Sequence, residues 1–425
     1  MGTTGQPELV RAIGRWTLAA LVLNTIIGSG IFGLPDDVAR RVGGAAPWAY
    51  LIAAAGIGVI MAVFAEVGSQ FREAGGPYLY ARAAFGAFAG VQMGWFAWLV
   101  RLTSGAANAN LFVVYLGEFW PAATQPVPRA VILLTLISFL TVVNVRGVNA
   151  GAQLSNFFVV AKLVPLAIFV FAGLTWSGTK VAPAALDASL GDWGQAILAL
   201  VFAYGGFESS LMPMSEAKNP RRDAPFALFT GLAAVTVTFT MIHVVAMTTL
   251  ATLADSQRPL ADAARVFLGP AGAALIAAGA MISTYGYLSG QFVTAPRLTY
   301  AFAEQRDFPA LFGRVHAQFR TPYVSIVIYA VLVSALAIYG SFVWNAILSA
   351  VGRLFTYGLV CGALIALRRK NPTVDSFRLP AAWLFVLAGI AFCAVMVAQM
   401  NAQHAKIVAV VAAAAVVNWF LARRR

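Results

Sequence analysis

The chain has 425 residues, 60% of them hydrophobic and 11% charged, with a net charge of +13 and a mean hydropathy of +0.79. A soluble domain of this size needs far more polar surface, so composition excludes one and points to an all-α polytopic membrane protein. The surplus of Lys and Arg does not mark a nucleic-acid partner, because it sits in short loops that alternate with basic-poor ones, as in membrane proteins that keep positive loops inside.

The apolar pattern predicts twelve transmembrane helices, over roughly residues 15–36, 45–70, 84–118, 128–145, 153–176, 193–214, 225–251, 268–303, 323–340, 344–367, 380–400 and 405–421. Spans three and eight are long enough to tilt or extend beyond the bilayer. The first run lacks a small-residue cleavage pattern and is read as a retained helix rather than a signal peptide. The richer set of basic loops, including Arg146, Arg221, Arg222 and Arg368 to Lys370, falls on the side of both termini, which places the termini in the cytoplasm.

Two of these spans are broken. Asn24-Thr-Ile-Ile-Gly-Ser-Gly-Ile-Phe-Gly-Leu-Pro35 interrupts the first, and Phe202-Ala-Tyr-Gly-Gly-Phe-Glu208 the sixth. Lipid cannot hydrogen-bond exposed backbone, so a broken membrane helix persists only where protein or a wet cavity satisfies it. Breaks in corresponding places of two halves point to a transporter's central site. Five spans separate the two, so residues 1–176 (helices 1–5) and 177–370 (helices 6–10) form an inverted repeat, with helices 11–12 and a basic C-terminus in 371–425. The alternative for Gly28, Ser29 and Gly30 is close helix packing alone.

At these residues the chain resembles the amino acid–polyamine–organocation (APC) superfamily of permeases. Gly28-Ser-Gly-Ile-Phe32 is similar to its first-helix signature. Phe202-Ala-Tyr-Gly-Gly-Phe-Glu208, with Glu216-Ala-Lys-Asn-Pro-Arg-Arg222 and Pro225, is similar to the sixth-helix signature and following loop. Pro296-Arg297-Leu-Thr-Tyr300, Phe308-Pro309 and Arg320-Thr-Pro322 resemble the end of the eighth helix and its loop. The resemblance implies a five-plus-five fold, alternating access, substrates among amino acids and related amines, and a cell membrane, here a bacterial inner membrane.

It also implies a site. Backbone N–H groups of Gly28, Ser29 and Gly30 at a half-helix start suit a carboxylate. By similarity, carbonyls of Ile26, Phe202, Ala203 and Gly205 would contact a substrate amine. Phe202 is either an aromatic gate or a core aromatic. Ser104, Gly105 and Asn108 of the third span would line a side-chain pocket. Lys162 in the fifth span is expensive inside a bilayer. It takes the place where sodium-coupled relatives hold a cation, either loading a proton or supplying a fixed charge, with Ser283 as a neighbour. Glu208 either bridges helices or senses protons, and Glu66 is expected at an interface. Arg101 and Arg353 either recognise an anionic group or make structural bridges.

The expected activity is sodium-independent secondary transport of a neutral or small zwitterionic amino acid, by proton symport or exchange. A cationic amino acid or polyamine permease is the alternative, and a channel or non-transporting receptor the alternative of another class. No enzyme is expected, since no nucleophile–His–acid set is visible. No cofactor or metal is expected either: His243, His316 and His404 lack ligand spacing, and Cys361 and Cys393 read as buried small residues. The partners expected are the substrate, the bilayer and protons; the glycine pair at the first break is not read as a dimer motif.

Overall fold

The computed structural model describes residues 14–71, 76–147, 152–178, 180, 187–211, 217–370, 372 and 376–423, and side chains within these except for 152–159 and 422–423. Glu216, at the start of the expected loop after the sixth span, lies outside them. Among the described residues the protein is helical throughout, without a β-strand.

The first span is α1 (Arg15–Ile26) and the short α2 (Gly30–Gly33), separated by Ile27 to Ser29. It continues into α3 (Pro35–Val42), where Pro35 stands in the first turn and has no amide to leave unpaired. Then follow α4 (Ala46–Ser69), α5 (Gly76–Phe85), α6 (Ala87–Leu116), α7 (Pro126–Val145) and α8 (Ala152–Thr175). The second broken span is α9 (Leu190–Tyr204) and α10 (Phe207–Ser210), parted at Gly205 and Gly206. Next come α11 (Pro220–Thr249), α12 (Pro259–Glu304), α13 (Tyr323–Tyr339), α14 (Phe342–Lys370), α15 (Ala382–Val397) and α16 (Ala402–Arg423). Among the described residues, seven helical segments are long and apolar enough to cross a membrane, and shorter apolar helices accompany them.

Expected span eight starts where α12 is kinked. Gly269, whose φ of 69° is left-handed, parts the helix just before Pro270, and a short helical stretch from Pro259 that carries Asp262 and Arg265 precedes the kink. Expected span three likewise begins with a separate helix, α5, before Gly86 turns the chain into α6.

Many of the central helices are rich in Ala and Gly, which brings backbones close. A Cβ at Gly279 of α12 would stand 2.9 Å from Pro165 Cγ of α8, and one at Gly231 of α11 would stand 2.5 Å from Val22 Cγ1 of α1. With no water between helices, such close van der Waals packing is what holds a bundle together in lipid. Ion pairs tie its ends. At the end where α4 and α14 finish, Glu66 is fully buried, accepts from Nε and Nη2 of Arg368 at 2.7 Å each and accepts the Leu379 amide at 2.7 Å. It is a buried clamp at the bundle end, holding α14 and the link from α14 to α15. Asp307 nearby is held by Arg82 and Tyr78. At the opposite end Glu118, just past α6, pairs with Arg258 and Arg265.

Candidate binding site at the two helix breaks

The breaks meet. A Cβ at Gly30 would stand 2.7 Å from Ala203 Cα, and one at Gly206 would stand 2.5 Å from the Thr25 carbonyl oxygen. Gly206 also has φ 111°, a left-handed conformation that side chains resist. Backbone from the first span thus lies directly against backbone from the sixth.

Each break leaves polar backbone groups without helical partners. Ile27 N donates to Leu23 O, which closes α1, and α2 starts by donating from Phe32 and Gly33 to Ser29 O. Between them, among the described residues, the amides of Gly28, Ser29 and Gly30 donate to no protein acceptor, and the Ile26 carbonyl accepts from none. At the second break Gly205 N donates to Phe202 O at 3.2 Å, and Gly206 N to Glu208 Oε2 at 3.0 Å. The Gly205 carbonyl is free in the same sense. A short stretch therefore offers donors on one span and acceptors on both. Ile26, Ser29, Phe202 and Ala203 are all buried.

Lys162 occupies the first break from behind. Its Nζ donates to Asn24 O at 2.8 Å and Ile27 O at 2.6 Å, two carbonyls released by the end of α1. Opening the helix creates the acceptors, and the ammonium fills them. Ser283 is buried on α12, a helix packed against α8; among the described residues it makes no hydrogen bond with Lys162.

Glu208 closes the second break. Its Oε1 accepts from Arg353 Nη1 at 2.5 Å, and Oε2 from Tyr357 at 2.9 Å and from Gly206 N. Gly205 makes the room: a Cβ there would stand 2.5 Å from Arg353 Nη1 and 2.8 Å from its Cδ and Cζ. The guanidinium lies against the opened backbone. Arg353 is a bridge between α14 and the break, and it also retains a buried Nε with no partner among the described residues.

On α6, Ser104 Oγ and Ser349 Oγ of α14 are 2.7 Å apart, and Asn108 donates to Ser104 O at 2.8 Å while its own Oδ1 stays buried and unpartnered. Gly105 faces elsewhere. A Cβ there would stand 2.7 Å from the Tyr329 hydroxyl, so its smallness serves packing against α13. Arg101 is half-buried and bonds only neutral groups, Gln291 Oε1 at 3.2 Å and Thr294 Oγ1 at 3.4 Å. Phe202 is packed edge-on against Phe342, at the start of α14, with ring centres 6.0 Å apart. A Cβ at Gly33 would in turn stand 2.5 Å from Phe342 Cε1, so these groups plug the space on the α3 side of the breaks. A cavity of ≈ 610 Å³ lies away from the breaks, around Asp255, Arg258 and Asp262 in the link from α11 to α12.

Sequence reading missed Asn24, Ser349, Tyr357 and Phe342. A signal for three of α14's polar groups was present: Ser349, Arg353 and Tyr357 recur every four residues, one stripe on a largely apolar stretch of the helix.

Comparison with known proteins identifies relatives of the chain. The serine/threonine exchanger SteT of Bacillus subtilis (strain 168) is 31% identical over 340 residues, covering 75% of this chain and 74% of its own. The rabbit (Oryctolagus cuniculus) b(0,+)-type amino acid transporter 1 is 28% identical over 377 residues, covering 85% and 77%. The cadaverine/lysine antiporter of Escherichia coli (strain K12) is 27% identical over 337 residues, covering 77% and 74%. All three are transporters rather than enzymes. The amino acid permease family model matches residues 13–421, nearly the whole chain, and the protein accordingly belongs to the amino acid permease family, a multi-pass membrane transporter of the APC superfamily.

Proposed function

We propose that this protein is a sodium-independent amino acid exchanger. The α-carboxylate of its substrate is held by the Gly28, Ser29 and Gly30 amides, and the α-amine by the carbonyls of Ile26, Phe202, Ala203 and Gly205. The observation that carries the reading is the unspent donors and acceptors at two touching breaks, on a chain whose relatives are amino acid exchangers and antiporters. Backbone groups at fixed positions recognise the part common to all amino acids and cost no rearrangement on binding.

The Lys162 ammonium, bonded to Asn24 O and Ile27 O, supports sodium independence, because those released carbonyls are already satisfied by a positive charge. In this reading it is a fixed charge, which fits exchange better than proton symport. Twelve spans in a five-plus-five inverted repeat, both termini cytoplasmic in a bacterial inner membrane, supply the alternating access. Phe202 and Phe342 close one side of the site, and Glu208, Arg353 and Tyr357 close the other.

The test is uptake of labelled amino acids into proteoliposomes, with and without preloaded amino acid, sodium and an inward pH gradient. Uptake that needs preloading and ignores sodium and the pH gradient is expected. Accumulation driven by the pH gradient into empty vesicles would replace exchange with proton symport and make Lys162 a proton carrier.

A further inference from the structure

We infer that the transported amino acid carries a second carboxylate on its side chain, and that Arg353, assisted by Arg101, recognises it. The inference rests on the amino acid transport reading above and names its substrate class. From the sequence alone, a side chain without charge is the expectation; the charge balance around the breaks leads to an acidic one.

Arg353 and Lys162 are buried inside the bundle and Arg101 is half-buried on α6, while among the described residues the carboxylate at the breaks is Glu208, paired with Arg353. Other buried acids are committed at the ends of the bundle: Glu66 to Arg368, Asp37 to Arg41, Asp307 to Arg82, Glu118 to Arg258 and Arg265, and Asp223 to the Asn219 amide. A neutral zwitterion would leave this cationic excess in place, and a cationic side chain would add to it, whereas an anionic side chain offsets it. Lys162 is already satisfied by its two carbonyls, so the excess falls on the arginines.

Their bonding points the same way. Arg353 is 5% exposed, yet Nε has no partner among the described residues, and Glu208 takes only Nη1. A guanidinium that gives one edge to a protein carboxylate keeps another for a ligand, and carboxylate recognition by two parallel N–H donors is what its planar fork suits. Among the described residues the Arg101 guanidinium has only the amide oxygen of Gln291 and the hydroxyl of Thr294. The two arginines lie on facing polar stripes, Arg101-Ser104-Asn108 of α6 and Ser349-Arg353-Tyr357 of α14, joined by the contact between Ser104 and Ser349. Arg353 is pressed onto Gly205, so its guanidinium stands at the edge of the space where the breaks would hold a substrate.

The test is competition against labelled L-glutamate exchange in sodium-free proteoliposomes, using L-glutamate, L-aspartate, their amides L-glutamine and L-asparagine, L-serine and L-lysine. Acid and amide have nearly the same shape, so their ratio reads the charge. The acids are expected to outcompete their amides by about 10-fold or more. A Glu208→Gln/Arg353→Gln double variant removes the pair without stranding either partner's charge, and its acid-to-amide competition ratio is expected to fall to about 1, whatever its absolute rate. The inference is overturned if the wild-type protein exchanges serine or glutamine and ignores ten-fold more glutamate, or if the double variant keeps the acid preference. Exchange of no amino acid at all by folded protein would instead overturn the amino acid reading itself. Should the double variant not fold, the wild-type ratio alone decides.

Discussion

Gly28 and Gly30 stand two residues apart in one break and are expected to respond oppositely to the same change. At Gly30 an added Cβ meets the Ala203 backbone at 2.7 Å and its Cβ at 2.9 Å. Neither can move without shifting α9. Overpacking of this kind costs roughly 1–3 kcal/mol, which corresponds to a fall in melting temperature of a few degrees. At Gly28 the nearest atom is the Ile26 carbonyl oxygen at 3.9 Å, ordinary contact, and the space beyond is open. Gly28→Ala should therefore melt within about 1 °C of the parent protein, since substitutions that meet no packed neighbour usually change stability by less than ~0.5 kcal/mol. Its methyl group would nonetheless stand where the substrate carboxylate approaches the amides, so the exchange KM should rise by about 10-fold, one lost charge-assisted contact. The assay is thermal melting of the purified proteins in detergent, set beside exchange kinetics in proteoliposomes. If Gly28→Ala leaves KM unchanged, the glycines of this break serve packing only and the carboxylate assignment is wrong. If Gly30→Ala neither lowers the melting temperature nor impairs exchange, the breaks do not pack as described.

Lys162→Gln removes an ammonium from two buried carbonyls, each bond to a charged group contributing about 1.5–3 kcal/mol, and should lower exchange at least about 10-fold, with no rescue by potassium. Sodium replaced by choline should leave wild-type exchange unchanged; a dependence on sodium would show that a cation site exists despite the lysine. Glu66→Gln should destabilise by up to about 3 kcal/mol, because it unpairs the fully buried end of a clamp whose Arg368 is partly exposed, read as a lower melting temperature with the substrate preference retained. Asp192, on the solvent-exposed first turn of α9, is held below the usual carboxylate range by the Ser189 hydroxyl and amide. Its folded pKa is depressed, so its contribution is present above the ordinary value of 3.8 and fades as pH falls through the folded one. The melting-temperature gap between wild type and Asp192→Asn should shrink on going from neutral pH to about pH 3.

The spans and the two breaks were legible because lipid imposes a long apolar run on every crossing and glycine on every interruption. Their contents were less so. Lys162 could be singled out by its cost in a bilayer, but not its partners, since Asn24 and Ile27 contribute carbonyls that every residue has. Gly105 was grouped with Ser104 and Asn108 by helical spacing, yet neighbours on a helix differ by about a quarter turn, and that turn carries it to Tyr329. Arg353 and Glu208 were each noted alone. Their pairing spans 145 positions and depends on how α14 crosses the break, which no local pattern encodes. The short helical stretch before Gly269 was not read as part of a span, because it carries Asp262 and Arg265 and ends at a kink.

Recognition of both ends of an amino acid by two touching breaks is tested most directly by counterflow competition in sodium-free proteoliposomes. The competitors are the transported amino acid, its decarboxylated amine and its deaminated acid. The account predicts that either truncation weakens competition by about 100-fold, since each leaves one set of backbone groups unfilled. An amine that competes as well as the parent amino acid would contradict it, because the amides of Gly28 to Gly30 would then hold nothing.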